Sequence, residues 1–192
     1  MKHDVNDNKV GLKMDNVTLI KKKICLLGSF AVGKTSLTER FVYNRYDEKY
    51  LITIGVKISE KALPPLKPAN NSKIIQHTFL IWDIAGCDKF DSVTKNYYRG
   101  AAGALAVADL TRPETIVELR NFCDRFLTVN PDAKLVIVGN KLDIFQTNDR
   151  TLSDLKKAAV RYSAVFELTS AKTGKGVEDA FLTLSQNIGA GL

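Results

Sequence analysis

The octapeptide GSFAVGKT, residues 28–35, restricts the fold more than any other stretch of this chain. It fits the pattern G-x-x-x-x-G-K-[ST], a loop that cradles phosphate groups. Residues 23–27, KICLL, form an apolar run of strand length ahead of it. Residues 36–43 follow with helical spacing, Leu37, Phe41 and Val42 lying on one face. Strand, loop and helix in that order are the context in which the motif carries its chemistry. Glycines let backbone N–H groups approach phosphate oxygens closely, and a helix N-terminus adds partial positive charge. Lys34 would reach the outer phosphates, and the Thr35 hydroxyl would bind a Mg²⁺ ion. Gly28, Ser29, Phe30, Ala31, Val32, Gly33 and Ser36 complete the nucleotide-binding stretch. The competing reading is a glycine-rich turn with a surface lysine, and eight matched residues in the right context weigh against it.

Further along, apolar strands alternate with helices. Residues 52–61 alternate enough for a strand, and residues 74–82 form another. Between them, residues 63–72 (LPPLKPANNS) hold three prolines and two asparagines, which predicts a loop without regular pairing. Residues 102–110 are a continuous small apolar run, suited to a strand covered on both faces. Pro113 then opens a helix whose stripe of Ile116, Leu119, Phe122, Cys123 and Phe126 reads as core. A strand at 134–138, a helix at 151–162, a short strand at 165–168 and a helix at 177–188 follow. The expectation is an α/β fold: six strands, mostly parallel with one antiparallel strand, and helices on both faces. Residues 1–20 are polar and aperiodic and read as a flexible leader ahead of one domain over 21–192.

Sheets of this kind collect ligands at the carboxyl ends of their strands, where the remaining motifs fall. Asp83 closes one apolar strand, in place to hold Mg²⁺, and the Gly86 backbone N–H could approach a terminal phosphate unobstructed. Asn140, Lys141 and Asp143, in NKLD, follow the next buried strand. A carboxylate there can accept two hydrogen bonds from a base with adjacent N–H donors, an edge guanine offers and adenine lacks. Such a site rejects the wrong base strongly, because its carboxylate is then left unpaired. Ser170, Ala171 and Lys172 follow the last strand, where a backbone N–H could meet the guanine oxygen.

With these motifs in order, the chain resembles a Ras-superfamily small GTPase, and most of all the Rab family, from about residue 22 to 188. The general motifs are GSFAVGKTSL, a threonine in TIG, WDIAG, NKLD and TSAK; IGVKI, FLIWDIAG, YYRGA and ADLT, with Asp109, are of Rab type. The resemblance implies the P-loop G domain, GTP and GDP as ligands, and Mg²⁺ held by Thr35, Thr53 and Asp83. Lys34, Thr53 and Gly86 would serve hydrolysis. Tyr46 would pack edge-on against guanine, Lys141 would cover another side of the base, and Tyr50 would fold over the phosphates. Switch segments at about 44–55 and 84–99 would meet effectors, exchange factors and activating proteins in vesicle trafficking or signalling. Two departures bear on hydrolysis. Cys87 stands where the family has a water-orienting glutamine, and a thiol donates and accepts weakly. Phe30 stands where relatives have Gly, Ser or Ala beside the γ-phosphate, and its ring would crowd the attacking water or a partner's arginine. Slow intrinsic GTP hydrolysis is therefore expected, and Ile84, in place of the usual threonine, reads as a packing change.

Composition trims the alternatives. The net charge of +7 permits attraction to an acidic surface without requiring it, and no nucleic-acid recognition motif accompanies it. Cys25 and Cys123 fall in apolar patterns and read as small core residues of a protein in a reducing compartment. No apolar run of membrane-spanning length, signal peptide, myristoylation glycine or C-terminal cysteine is visible, so a cytoplasmic monomer is expected. Membrane association would need a longer natural chain or a partner. A permanently GTP-loaded adaptor stays open as a second reading. An ATP-using kinase or motor requires the NKLD and TSAK matches to be accidental.

Overall fold

A computed structural model describes residues 17–47, 53–67, 74–86 and 92–190. Six strands form one sheet: β1 (Val17–Leu27), β2 (Val56–Ala62), β3 (Ile74–Ile84), β4 (Gly103–Asp109), β5 (Lys134–Asn140) and β6 (Val165–Leu168). Their spatial order is β2-β3-β1-β4-β5-β6; β2 pairs antiparallel with β3 and every other pairing is parallel. Five helices complete the described elements: α1 (Lys34–Tyr43), α2 (Ser92–Tyr98), α3 (Glu114–Val129), α4 (Asp149–Arg161) and α5 (Val177–Gly189).

The period of two along each strand sorts apolar side chains into two cores. Ile24, Leu26, Leu105, Val107, Val136 and Val138 face one side and pack with Leu37, Phe41, Phe181 and Leu184 of α1 and α5. Cys25, Leu27, Ala104, Ala106, Leu135 and Ile137 face the other and pack with Leu119, Phe122, Cys123 and Phe126 of α3 and with Leu155 of α4. The expected α3 stripe is buried throughout, and both cysteines are free core residues whose thiols burial pushes up to about 12. Among the described residues no helix is long and apolar enough to cross a membrane.

Several boundaries differ from the sequence reading. β1 begins at Val17, inside the stretch expected to be leader, because β3 runs long enough to pair it from Val17 opposite Ile74 onward. α1 starts at Lys34 because Gly33, at φ +100°, turns the chain straight into the helix. α4 starts at Asp149 because the Asn148 side chain caps the Arg150 and Thr151 N–H groups. The proline segment is not free of pairing. Leu63 is buried and donates to the His77 carbonyl, and Leu66 exchanges two backbone hydrogen bonds with Ile75. α2 was not expected as a helix; at seven residues it is too short to display a period.

Phe41 stacks on Phe181 with ring centroids 3.8 Å apart, tying α1 to α5. Phe181→Ala should cost about 3–5 kcal/mol of stability, as for other fully buried rings, with the urea midpoint falling accordingly.

Candidate functional site

The loop between β1 and α1 closes around its own lysine. Lys34 is nearly buried, and its ammonium donates to the carbonyls of Gly28 (2.7 Å) and Ser29 (2.9 Å). Two glycines make the wrap possible: a Cβ at Gly28 would stand 2.2 Å from the Val107 carbonyl oxygen, and one at Gly33 would stand 2.2 Å from Asn140 Nδ2. Gly86 is pressed against the same loop, since a Cβ there would lie 2.7 Å from the Phe30 nitrogen. Loop, Thr35, Ser36, Thr53 and Gly86 thus line one cleft, with the half-exposed Phe30 ring at its wall.

Thr35 and Thr53, which line this cleft, form with buried Asp83 a chain of three oxygen-bearing side chains. Thr35 Oγ1 donates to Asp83 Oδ2 at 2.5 Å and lies 2.7 Å from Thr53 Oγ1. Asp83 is buried, and its Oδ1 has no hydrogen-bond partner among the described residues. Burial raises its carboxyl above the usual range, against the Thr35 hydrogen bond and the charges of Lys34 and Lys57. A buried carboxylate oxygen without a partner, beside two hydroxyls, suits a hard divalent cation that takes oxygen ligands. The donor set therefore fits Mg²⁺.

A second cleft adjoins the first and shares Gly33 and Ser36 with it. Tyr46, Lys141, Asp143, Ala171 and Lys172 line it. Asp143 is exposed and accepts from Ser170 Oγ at 2.6 Å, which aims its carboxylate. Asn140 does something the motif does not advertise. Its Nδ2 donates to the Val32 carbonyl (3.0 Å), and its Oδ1 accepts from Thr169 Oγ1 (3.1 Å) and the Ala171 N–H (3.2 Å). It is a buried staple from the end of β5 to two loops. The Ser170 N–H donates to the Lys175 carbonyl, so of the N–H groups expected to face a base oxygen, those of Ser170 and Ala171 are engaged within the protein.

Several supporting contacts were invisible in the sequence. Arg40 of α1 holds the last loop through the carbonyls of Ala171 (2.9 Å) and Lys172 (2.6 Å). Ser29 donates to Glu118 of α3. Buried Asp109 joins the two clefts: its Oδ2 accepts from Lys141 Nζ (2.7 Å) and Arg112 Nε (3.0 Å), and Arg112 Nη2 continues to the Phe30 carbonyl (2.9 Å). Burial alone would raise the Asp109 carboxyl, but hydrogen bonds from Lys141, Thr111 and Arg112 hold it below the usual range. Tyr50 and Cys87 lie outside the described residues.

A loop of the phosphate-binding pattern at the head of a mostly parallel sheet, with an acidic strand end beside it, defines a P-loop nucleotide-binding protein. The Ras family model matches residues 23–190, and the chain belongs to that family. Within it the chain is Rab-like. Ras-related protein Rab-31 of Homo sapiens is 35% identical over 167 residues, covering 86% of this chain and 82% of the relative. Rab-22A of Mus musculus is 34% identical over 173 residues (90% and 86%), and Rab-21 of Dictyostelium discoideum is 34% identical over 167 (86% and 76%).

The depressed Asp109 carboxyl makes a signed prediction. Its stabilising contribution is present above the ordinary aspartate value of about 3.9 and is lost as pH falls through the lower folded-state value. Asp109→Asn should lower stability near neutrality and flatten the acid limb of the melting-temperature profile below the ordinary aspartate value of about 3.9.

Proposed function

We propose that this chain is a guanine-nucleotide switch that binds GTP and GDP with Mg²⁺ and hydrolyses GTP slowly. The carrying observation is the pair of adjoining clefts meeting at Gly33 and Ser36. One is lined by Lys34, Thr35 and Thr53, with buried Asp83 hydrogen-bonded to Thr35, and the other is lined by Asp143 and Tyr46. A base in the second cleft would reach Asp143, and Ser170 keeps that carboxylate turned to receive two N–H donors. Lys141, tethered to Asp109, would lay its stem along one side of the base and Tyr46 would meet its edge. On the phosphate side, Lys34 would exchange its two carbonyl partners for phosphate oxygens, while Gly86 offers its N–H beside the loop. Thr35, Thr53 and Asp83 would hold Mg²⁺, which when bound neutralises developing charge on the phosphates.

Hydrolysis needs an oriented water, and Cys87 carries no group suited to orient one. Phe30 sets a ring at the wall of the phosphate cleft, where a partner's arginine contributes roughly 10³–10⁵ in rate to relatives of this class. The same ring supports a second reading, a hydrolysis-deficient, GTP-loaded adaptor that recruits effectors. In either reading effectors, exchange factors and activating proteins would meet segments 44–55 and 84–99 in a trafficking or signalling pathway.

Single-turnover hydrolysis should run below about 10⁻⁴ s⁻¹, and Cys87→Gln with Phe30→Gly should accelerate it. A parent rate as fast as ordinary small GTPases, or no acceleration in the double variant, overturns the slow-hydrolysis argument. GTP carried through purification selects the adaptor, and GDP selects the cycling switch. Asp143→Ala should weaken GDP binding by about 10²–10⁴-fold, the loss of two hydrogen bonds to a charged acceptor, with excess ATP failing to compete against the parent.

A further inference from the structure

Lys57 stands directly across the β2–β3 ladder from Asp83. Directly opposed residues of an antiparallel pair project from the same face with their Cβ atoms about 4.5–5.5 Å apart, and opposite charges placed so attract. A lysine stem spans that distance easily. The ordinary outcome would be a cross-strand ion pair, with the ammonium at the unpartnered Oδ1 of Asp83. Such a pair would satisfy the buried carboxylate and occupy the position that suits a divalent cation.

The structure holds Lys57 elsewhere. Its ammonium pairs with Oε1 of Glu39 on α1, and Oε2 of the same carboxylate takes the guanidinium of Arg45. Glu39 is mostly covered, its side chain 14% exposed, whereas Lys57 is 45% exposed. The ion pairs with Arg45 and Lys57 hold the Glu39 carboxyl below the usual range, overcoming the opposing effect of its partial burial. Both charges are felt at Asp83: Lys57 favours its ionised form and Glu39 opposes it. We propose that Glu39 is a positioning residue that draws Lys57 away from Asp83 and so keeps the Asp83 carboxylate open to Mg²⁺.

This inference rests on the reading of Thr35, Thr53 and Asp83 as the Mg²⁺ site of a nucleotide switch. A merely structural role for Glu39, as an anchor for Arg45 beside Tyr46 and for the start of β2, predicts a different pattern. Anchoring would act on nucleotide release whether or not metal is present. Diversion of Lys57 acts only through the metal and disappears when the Lys57 charge is removed.

The test follows release of fluorescent GDP from the full chain as Mg²⁺ is titrated, with a parallel measurement in excess chelator. Glu39→Gln should raise the Mg²⁺ concentration for half-maximal retention about tenfold, the size of effect a newly available opposite charge has on a buried carboxylate. Its release rate in chelator should match the parent's. Adding Lys57→Gln should bring the Mg²⁺ midpoint back to or below the parent value. Lys57→Gln alone, which keeps the test alive if Glu39→Gln misfolds, should leave the midpoint unchanged or lower it. An unchanged midpoint in Glu39→Gln overturns the proposal, as does equal acceleration with and without metal, or a shift that Lys57→Gln fails to reverse. So does a raised midpoint in Lys57→Gln alone. A parent that does not bind GDP, or releases it independently of Mg²⁺, overturns the switch reading itself and the inference with it.

Discussion

One buried amide holds the site together. Asn140, at the end of β5, reaches the loop before α1 through the Val32 carbonyl and the loop after β6 through Thr169 and Ala171. Every donor and acceptor it offers in that dry place has to find a partner, because a buried polar group left unpaired costs about 1–3 kcal/mol. Satisfying them locks those two loops to the end of β5. The two adjoining clefts are thereby fixed relative to each other. Gly33 is glycine for the same reason: its missing side chain is the space in which the Asn140 amide sits.

Around that staple, three carboxylates in similar strand-and-helix surroundings meet different ends. Asp109 is saturated by Lys141, Arg112 and Thr111 and becomes a strut between the clefts. Glu39 divides its two oxygens between Arg45 and Lys57. Asp83 alone of the three keeps an oxygen without a partner, and its carboxyl is raised where the other two are lowered. Residue type does not separate an open carboxylate from a saturated one. The number of donors converging on it does.

Much of the architecture was legible because it is written in local periods. The buried strand at 134–138, the short strand at 165–168 and the apolar stripe behind Pro113 follow from patterning that neighbours in sequence impose on each other. The order of motifs at strand ends was legible too, since alternating strands and helices force those ends to one edge of a sheet. The start of β1 at Val17 was not, because pairing is supplied by β3 and nothing in the polar residues themselves asks for it. Nor were the hydrogen bonds of Leu66, which sits among prolines yet finds Ile75 across the ladder.

By itself, the sequence determined the α/β sheet and set the phosphate-loop pattern at Gly28–Thr35 at its head, with acidic residues at the strand ends beside it. Backbone conformation and short-range spacing suffice for that. Tertiary structure alone decided which of those acids stays open, that Asn140 serves as a staple, and that Arg112 reaches Phe30 from 82 positions away. These outcomes depend on charges and amides far apart in the chain competing for partners in a space with little water. Such a competition has no signature in any one stretch of residues.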